Sequence, residues 1–581
     1  MTKLKKAPLM LPQIFLAAKR VVKPIAALVL FASISAVTAL WISGQIIQGS
    51  QLVGISSDEG IHLGRTANWF RTGWYLPPRF LDENHNAREV NPPGRIHAYG
   101  PSFSVSAHVF NVALGREEFG RISRSPEAFD GRRLFTALLG IVASVAFGFS
   151  LYSATGSRMI GLWSGAALLA VPAWAGYAMF HPKDLPVAAG LTFFVAGMVI
   201  AFSGKKSRHA LIFAGLLCLI GVYFSVGTRT ALWVYCASAF ILILLTIPFL
   251  ITRPTIEAVL APIIGSIAGF ALVMALQYRN MAQFADWLIG SVFVSVAFPA
   301  AQRRTTLTAG IPVSWHNPDW WYLPAWMGTA IPTFILLISL FGMIWAFWST
   351  IIRARNVATK QESWRFLSRT HIAALLFGQL AFMLPVAAII MNSTMYGGVR
   401  QHLYAVPGLV GLAGIGMYIL VINKNIIKNT WVLPLMALPL LFSAYEQSKL
   451  HPFNYIYRNT LAGPVDGRRE TDMHGVGDRI GAEQTPEGID IFCTRRQANR
   501  ANRCAGALQW ISERPRFDES LHPPIAEGNV LLVMRPMAMY SAPNECSLWQ
   551  DVTRPLRQEH IVVVRVFECP ADQIVLRRRR R

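Results

Sequence analysis

Long apolar runs alternate with shorter polar loops along this chain, with a repeat that matches the thickness of a membrane. Apolar runs of about 20 residues, each long enough to cross roughly 30 Å of hydrocarbon as a helix, recur along most of it. This pattern predicts a polytopic α-helical membrane protein with about eleven transmembrane helices. The predicted spans are Ile25–Ile47, Leu134–Tyr152, Met159–Phe180, Pro186–Phe202, Ala210–Val226, Ala231–Ile251, Val259–Gln277, Pro324–Trp348, Ile372–Met391, Leu403–Ile422 and Trp431–Tyr445.

Lysine and arginine residues in the short loops predict the orientation of these helices. They are concentrated in four segments that fall on one side of the membrane: Met1–Lys23, Lys205–Arg208, Arg353–Arg369 and Lys424–Lys428. Because cytoplasmic loops carry an excess of these residues, that side is predicted to be the cytoplasm.

The predicted topology divides the chain into three parts. Residues 1–24 form a cytoplasmic N-terminus, residues 25–447 a transmembrane module, and residues 448–581 an external C-terminal domain. The long loop 48–133 also lies outside. The apolar patch Phe284–Phe298 in a later external loop is too interrupted for a span and is typical of an interfacial helix.

Composition excludes a soluble globular protein. Hydrophobic residues make up 53% of the 581 positions and charged residues 15%, and the mean hydropathy is +0.39, whereas soluble domains carry about 25% charged residues. The net charge of +23 follows in part from the basic cytoplasmic loops. The external loop is basic too, at Arg65, Arg71, Arg79, Arg88 and Arg95. Such residues suit phosphate headgroups, whereas nucleic-acid binding is not expected of basic segments split between two faces of a membrane.

The C-terminal part is predicted to fold as a small external α/β domain. Two β-branched apolar runs bounded by turn formers, Val530–Met534 and His560–Phe567, are typical of strands. Four of the six cysteines fall here: Cys493, Cys504, Cys546 and Cys569. In an oxidising compartment an even number favours two disulfides, with three connectivities open. Metal ligation is the alternative, although no CxxC spacing supports it.

Four polar clusters begin or end helices at the external face, so they can converge on one site. They are Asp58-Glu59 with the loop behind it as far as Glu89, His181–Pro186, His316–Pro324 and Tyr396–Tyr404. Two adjacent carboxylates are the chemical equipment for deprotonating a hydroxyl or holding a divalent metal.

Each cluster also has a structural interpretation. Asp58-Glu59 is able to cap a helix or begin a solvated loop, and Lys183-Asp184 fits an ordinary turn with a local ion pair. The aromatic residues at 315–326 fit an interfacial belt, and Arg400 and His402 are able to reach lipid headgroups. Their placement on one face favours a shared site.

Together these motifs resemble the GT-C superfamily of membrane glycosyltransferases. The motifs are the acidic pair after the first helix, a PKD turn at 182–184, WYLP at 321–324 and GVRQHLY at 398–404. The tail opens with HPFNYIYRN and continues with RRETDMHG. These tail motifs make the chain most similar to bacterial members of the protein O-mannosyltransferase and lipid A aminoarabinose transferase branch.

The resemblance implies inverting transfer of a sugar from a polyprenyl-phosphate donor to a hydroxyl of a protein, lipid or glycan. The reaction would take place at the external face of the bacterial inner (plasma) membrane, with the C-terminal domain in the periplasm. Membrane lipids are the other expected partners, and no organic cofactor is expected. The sugar and the acceptor stay open.

The resemblance also implies roles for individual residues. Asp58 would be the general base, and Glu59 would orient it or contact the acceptor. The residues matching donor-phosphate positions are Lys183, Arg400, His402 and Tyr404. Those assigned to the acceptor or sugar pocket are Glu89, His316 and Tyr322.

Members of this group differ in their use of metals, so Asp58 and Asp184 are candidates to share Mg²⁺ or Mn²⁺. This chain departs from the family pattern at His181, where the turn often has Asn, and Glu89 lacks the Lys found beside it before the paired prolines of aminoarabinose transferases.

Two other functions are compatible with a polytopic chain. A transporter or lipid flippase would place ionisable residues and broken helices near the midplane of the membrane, whereas the predicted helix interiors are almost free of charge. A scaffold whose external tail binds partners would leave the four one-sided clusters unexplained.

Overall fold

A computed structural model describes residues 11–88, 95–203, 207–296, 305–359, 364–422, 432–463, 476–477, 479–480, 491–493, 529–534 and 547–570. The described α-helices are α1 Leu11–Leu52, α2 Ser57–Thr72, α3 Ser102–Ala113, α4 Pro126–Thr155, α5 Arg158–Leu169, α6 Pro172–Ala178, α7 Asp184–Phe202, α8 Arg208–Ser225, α9 Trp233–Thr246, α10 Ile256–Leu276, α11 Phe284–Val296, α12 Tyr322–Ala330, α13 Thr333–Ala358, α14 Arg369–Ile390, α15 Ala405–Ile422 and α16 Val432–Leu450. The described strands are β1 Thr305–Thr308, β2 Ile311–Ser314, β3 Ile491–Cys493, β4 Asn529–Met534, β5 Ser547–Leu556 and β6 Glu559–Pro570.

The predicted multi-pass helical architecture is confirmed. Among the described helices, eight are long and apolar enough to cross a membrane, and the bent pair α5–α6 makes a ninth candidate. The eight are α1, α4, α7, α8, the helix around α9, α10, α13 and α14. The last two predicted spans correspond to α15, whose apolar part Ala405–Val421 is shorter, and to α16.

Proline breaks two of the predicted spans. The span predicted as Met159–Phe180 is two helices, α5 and α6, that meet at an angle of 67° where Pro172 opens the second helix. The span predicted from Pro324 begins as α12 and restarts as α13 after Pro332. Proline lacks an N–H and clashes with the preceding turn, so a helix stops there and a new one begins beyond it.

Side-chain caps and glycines fix the ends of the helices. The hydroxyl groups of Ser125, Ser157 and Ser207 each accept a hydrogen bond from a backbone N–H in the first turn of α4, α5 and α8. Gly73 and Gly156 end α2 and α4 with φ of 79° and 74°, a conformation that other residues adopt only with strain.

Helix α7 is the centre of the bundle, because every one of its residues is buried. It packs closely against α8 through small residues. A Cβ atom on Gly190 would lie 2.5 Å from the backbone nitrogen of Ser225, and one on Gly197 would lie 2.6 Å from the carbonyl oxygen of Ala214. Such contacts let helix backbones approach where side chains would separate them. The N-terminus of α7, at Asp184, thereby lies at the middle of one end of the bundle.

The C-terminal region contains a four-stranded sheet in the order β3-β4-β6-β5. Strand β3 is parallel to β4, while the pairs β4–β6 and β6–β5 are antiparallel. The two predicted strands are confirmed as parts of β4 and β6. The short hairpin β1–β2 and the strand β5 were not predicted.

Some of the sequence predictions fall outside the described residues. They include Glu89, the RRETDMHG segment at 468–475, and two of the tail cysteines, Cys504 and Cys546. The two disulfides therefore stay a prediction. The interfacial patch is the helix α11, and its position relative to a membrane also stays a prediction.

Candidate active site

The turn between α1 and α2 presents Asp58 at the start of a well-capped helix. Ser56 is the N-cap: its hydroxyl accepts from the Glu59 N–H, and the Glu59 carboxylate accepts from the Ser56 N–H at 2.6 Å. This reciprocal capping box fixes the first turn of α2. Asp58 lies inside that turn, and its side chain remains 14% exposed.

Glu59 points away from Asp58 and into the protein. Its second carboxylate oxygen accepts from Arg133 Nε at 2.8 Å, and the Arg133 side chain is 1% exposed. Arg133 also donates to the carbonyl oxygen of Val53 at 2.8 Å. Both carboxylate oxygens of Glu59 are thus occupied within the protein, and its predicted role, to orient Asp58 or to contact the acceptor, stays a prediction.

The second part of the site is the turn His181–Asp184, between the broken span α5–α6 and the central helix α7. The Asp184 N–H donates to His181 Nδ1 at 3.1 Å, so Nδ1 is an acceptor and Nε2 carries the proton. Burial and the charge of Arg400 lower the pKa of His181 despite its carboxylate neighbours. A neutral histidine therefore donates through Nε2.

The third part is the loop from Met395 to Tyr404. Gly397 and Gly398 have φ of 73° and 67°, and the Gly398 N–H donates to the Tyr322 hydroxyl at 3.0 Å. The Tyr396 ring is stacked on Trp315, with centroids 4.7 Å apart. Its other neighbour is the Arg400 guanidinium, 5.1 Å from the ring centroid. These contacts fix the position of Arg400 from the side opposite to α7.

Asp58 meets the other two parts through a single oxygen. Its Oδ2 lies 3.2 Å from Lys183 Nζ, 3.2 Å from Arg400 Nη1 and 3.3 Å from His181 Nε2. Every contact of Asp58 with the described residues engages this atom, and Oδ1 has no hydrogen-bond or ion-pair partner among them. One oxygen anchors the carboxylate, while the other is available to a bound molecule.

Asp184 shares Arg400 and His181 with Asp58. Its carboxylate lies 3.2 Å from Arg400 Nε, 3.5 Å from His181 Nε2 and 3.7 Å from Arg229 Nη2. Arg400 therefore bridges the two aspartates, and Arg229 extends the cluster to the turn between α8 and α9.

The charges of this cluster stabilise one another. Burial alone would raise the pKa of Asp58, but Lys183 and Arg400 outweigh it and hold that pKa well below its usual range. Burial would lower the pKa of Lys183, and Asp58 instead raises it above its usual value. Asp58 is thus an anion and Lys183 a cation over the whole physiological range.

A cavity of about 230 Å³ opens beside the cluster. Its polar end is lined by Tyr99, Arg229, Tyr396, Gln401, His402 and Tyr404. The rest is mostly apolar and includes Val292 and Val296 from α11, Met383, Leu384 and Ala387 from α14, and Met391 at its end. His402 Nδ1 lies 2.8 Å from the Tyr404 hydroxyl, and burial together with Arg229 lowers the pKa of His402 to about 3, so His402 is neutral.

Tyr99 separates this cavity from a smaller one of about 50 Å³, and it lines both. Arg65 and Arg79 line the smaller cavity together with Tyr75. The Arg65 guanidinium lies 4.8 Å from the centroid of the Tyr99 ring, and Lys183 Nζ lies 5.6 Å from it. Tyr99 and Lys183 thus connect the ion cluster with the arginines of the 48–133 loop.

Four residues named from the sequence converge in one ion cluster: Asp58, Lys183, Asp184 and Arg400. His402 and Tyr404 line the adjacent cavity. Tyr322 is 1% exposed and supports the 395–404 loop, so it is a structural residue in this arrangement. His316 is exposed in the loop after β2, next to the Trp315 that stacks on Tyr396.

Sequence reasoning missed Arg229 and Tyr99, and it gave no role to His181 or to Tyr396, although both lie in the predicted polar clusters. A signal for Arg229 was present: it lies in the short turn between two predicted spans, on the side predicted to be external. Because short external loops are poor in arginine, one that is kept there has a local function or partner. The aromatic residues carried no comparable signal.

The acidic residues do not fit the predicted divalent cation. Asp58 and Asp184 face the cations of Lys183, Arg229 and Arg400, so the cluster has a formal charge of +1 with His181 neutral. In the part of the chain that the structure describes, no group of three or more His, Cys, Asp and Glu side chains is arranged to hold a metal ion. As arranged, the cluster favours an anion.

Comparison with known proteins gives matches among solved structures only, because no family model and no curated protein matches the chain. The chain is similar to ArnT from Cupriavidus metallidurans bound to undecaprenyl phosphate, with 13% identity and a TM-score of 0.43, over 93% of this chain and 97% of that one. It is also similar to the oligosaccharyltransferase AglB from Archaeoglobus fulgidus in complex with an inhibitory peptide and a dolichol-phosphate, with 12% identity and a TM-score of 0.43, over 81% of this chain and 59% of that one.

A further structure of the Archaeoglobus fulgidus oligosaccharyltransferase, in complex with Zn and sulfate, shares 10% identity over 81% of this chain and 56% of that one, with a TM-score of 0.41. The resemblance to GT-C membrane glycosyltransferases was predicted from the motifs, and the matched structures are named as ArnT and as an oligosaccharyltransferase. Identities and TM-scores this low leave the function to be argued from the site itself.

Proposed function

We propose that this protein is an inverting glycosyltransferase that moves a sugar from a polyprenyl-phosphate donor to a hydroxyl acceptor. The reaction takes place at the external face of a bacterial inner membrane, with the N-terminus in the cytoplasm and the C-terminal domain in the periplasm. The observation that carries the proposal is Asp58, which is anchored through one oxygen by two cations and a neutral histidine while the other oxygen is open.

Such a carboxylate suits the work of a general base. Lys183 and Arg400 hold Asp58 ionised, and contacts through Oδ2 alone fix the direction of Oδ1. A base held in one orientation accepts a proton without first reorganising, and a positioned base contributes roughly 10²–10⁴-fold to the rate.

The adjacent cavity suits the donor. Its apolar walls on α11 and α14 fit a polyprenyl chain, and its polar end offers Arg229, His402 and Tyr404 to the phosphate. Arg229 is the cation that lines this cavity, whereas Lys183 and Arg400 are paired with Asp58. We therefore assign the main contact with the donor phosphate to Arg229, and further polar contacts to His402 and Tyr404. Lys183 and Arg400 lie behind these residues, paired with Asp58, and would act on the phosphate through their charge.

In the proposed step, the acceptor hydroxyl oxygen attacks C1 of the sugar on the face opposite the phosphate. Its proton passes to Oδ1 of Asp58 as the new C1–O bond forms. The bond between C1 and the phosphate oxygen breaks, and its electron pair stays on the phosphate. Arg229 and Lys183 stabilise the negative charge that grows on the phosphate in the transition state. Fixed cations stabilise such a charge more in a partly dry site than in water.

The test compares wild-type protein, Asp58→Asn and the control Glu118→Gln in nanodiscs. Undecaprenyl-phosphate-linked mannose and undecaprenyl-phosphate-linked aminoarabinose are the donor probes, a cell-envelope extract supplies acceptors, and released undecaprenyl phosphate is measured by mass spectrometry. We expect Asp58→Asn to lower the rate of release about 10²–10⁴-fold. Glu118 is an exposed acid of the same loop, so its variant should match wild type.

Full activity of Asp58→Asn would refute the assigned base. Wild-type protein that, reconstituted in liposomes, moves intact donor to the other leaflet without releasing undecaprenyl phosphate would instead support the transporter or flippase.

A further inference from the structure

Two segments beyond α16 reach back to the turns that carry Asp58 and Lys183. The first is the stretch from Phe453 to Asn459, within the HPFNYIYRN motif, and the second contains Val476 and Arg479. Both belong to the tail that was expected to form a separate external domain. Neither has a place in the proposed reaction, so their contacts need an explanation of their own.

The first segment lies against the turn that carries His181 and Lys183. The Tyr455 ring is stacked on Tyr177, with centroids 5.7 Å apart, and meets Phe180 edge-on at 5.3 Å. Gly176 makes this approach feasible, because a Cβ there would lie 2.3 Å from the Tyr455 backbone nitrogen. The helix α6 and the turn after it therefore rest on Tyr455.

The second segment lies against the turn that carries Asp58. The Gly54 N–H donates to the carbonyl oxygen of Val476 at 2.7 Å, and Val476 is fully buried. The Arg479 guanidinium donates to the carbonyl oxygen of Gln51. Gly54 has no room for a side chain, because a Cβ there would lie 3.0 Å from the Val476 oxygen and 3.2 Å from the Arg479 nitrogen.

A chain of buried and half-buried charges continues from this contact to α2. Arg479 Nη1 lies 3.5 Å from the Asp130 carboxylate, and Arg133 Nη1 donates to the same oxygen at 3.1 Å. Arg133 in turn holds Glu59 at 2.8 Å, and Glu59 closes the capping box beside Asp58. Arg479 is thus connected to the first turn of α2 through three ion pairs and, through the Gln51 carbonyl, to the end of α1.

We propose that Arg479 is a positioning residue for the general base: together with Asp130 and Arg133 it holds the α1–α2 turn so that Asp58 meets Lys183 and Arg400. Tyr455 supports the opposite turn in the same way. The start of the C-terminal tail is then a part of the catalytic centre. This inference rests on the proposed function for its effect on rate, but the effect on the turn itself is independent of it.

The expected consequence concerns turnover more than binding. The donor cavity is lined by residues of α9, α11, α14 and the loop around Tyr396, whereas Arg479 contacts Gln51 at the end of α1 and Asp130 in α4. Loss of Arg479 shifts Asp58 without changing that cavity. A misplacement of about 1 Å at a reacting group lowers a rate by up to 10²-fold. We therefore expect kcat to fall about 10- to 100-fold and the donor KM to change less than threefold.

The experiment uses the full-length chain with Arg479→Gln, the conservative Arg479→Lys, and Arg565→Gln as the matched control. Arg565 also pairs with an aspartate in the tail, Asp551 at 3.4 Å, but in the sheet. Hydrogen exchange followed by mass spectrometry reports on the peptide 51–60 in the protein without substrate. Release of undecaprenyl phosphate from the donor probes gives kcat and KM for the same samples.

In Arg479→Gln, we expect amide exchange in 51–60 to be about tenfold faster, since the substitution removes one charged contact among those that hold that turn. We expect Arg479→Lys to recover part of kcat, because it keeps a positive charge toward Asp130 and Gln51, which Nη1 contacts in the wild type, but lacks the planar guanidinium. Arg565→Gln should match wild type in both measurements.

Unchanged exchange in Arg479→Gln overturns the positioning role, whatever the reaction is. Faster exchange with an unchanged kcat, or an equal loss from Arg565→Gln, overturns it as well. If wild-type protein releases no undecaprenyl phosphate from either probe, the proposed function fails by itself, and the exchange measurement still decides whether Arg479 holds the turn.

Discussion

Replacing Arg229 with glutamine is expected to weaken the binding of undecaprenyl phosphate about 10- to 100-fold while leaving the protein folded. Arg229 lines the polar end of the donor cavity. Burial would lower the pKa of its guanidinium, but Tyr99 and Asp184 raise it above its usual value, so the side chain is charged at every pH of interest. Removing it takes away the cation that the described cavity lining offers to a phosphate.

The expected changes in Kd and in stability follow from the contacts that Arg229→Gln removes and those that it keeps. A hydrogen bond to a charged group contributes about 1.5–3 kcal/mol, and about 1.4 kcal/mol corresponds to a tenfold change in Kd. The loss of stability is smaller, because the pair with Asp184 is long, at 3.7 Å, and the Arg229 side chain is 20% exposed. Asp184 also keeps its closer contact with Arg400, at 3.2 Å, so it is not left without a cation.

The assay titrates purified protein in detergent micelles with undecaprenyl phosphate and follows the change in tryptophan fluorescence. Arg279→Gln is the matched control, since Arg279 is an exposed arginine whose guanidinium lies 5.5 Å from the centroid of the Tyr278 ring. Arg229→Lys keeps the charge without the planar fork and should fall between wild type and Arg229→Gln. A Kd for Arg229→Gln within threefold of wild type would contradict the assignment of this cavity to the donor phosphate.

Three further predictions concern the ion cluster and its support. The pKa of Asp58 is held low, so the active carboxylate form is present above that pKa and is lost only as the pH falls through it. The rate of turnover should therefore not fall with decreasing pH until the pH is below about 5. Lys183→Met removes one stabilising cation and should move the acid limb of the residual rate to higher pH, and identical limbs would contradict this. EDTA should leave turnover within about twofold, because a cluster of net positive charge does not favour a divalent cation; a loss that Mg²⁺ or Mn²⁺ restores would contradict that reasoning. Tyr322→Phe leaves the Gly398 N–H without its acceptor and should lower the free energy of unfolding by about 1–3 kcal/mol. A thermal-shift assay should show a lower melting temperature, and an unchanged one would show that this hydrogen bond is dispensable.

The helices could be predicted well because a membrane span leaves a long apolar run in the sequence. The failures were at Pro172 and Pro332, where the apolar run continues although the helix does not. A proline within a span is compatible with a kink or with a break, and packing of the neighbouring helices decides between them. Strand β5 was missed because its sequence, SLWQDVTRPL, has no continuous apolar run.

The convergence of the site could be predicted from topology, because three turns that are predicted to lie at one membrane face are close to one another in a compact bundle. The pairing within it could not. Which cation meets Asp58 depends on side-chain distances set by the packing of α7 and the glycine turn at Gly397. One contact could have been predicted from the sequence, because Ser56 and Glu59 have the spacing of a capping box. That spacing places the Glu59 carboxylate at the start of the helix, so Asp58 is the acid of the pair that can contact a substrate.

The formal charges of the cluster suit the proposed reaction at each stage. Lys183, Arg229 and Arg400 exceed Asp58 and Asp184 by one positive charge, so a donor phosphodiester with a single negative charge brings the site to neutrality. During transfer the phosphate gains a second charge as Asp58 takes up a proton, and the sum stays at zero. Once Asp58 returns that proton to water, which its low pKa favours, the site holding polyprenyl phosphate becomes negative. That excess charge weakens binding of the product, so the depressed pKa of Asp58 that makes it a modest base also favours release of the spent carrier.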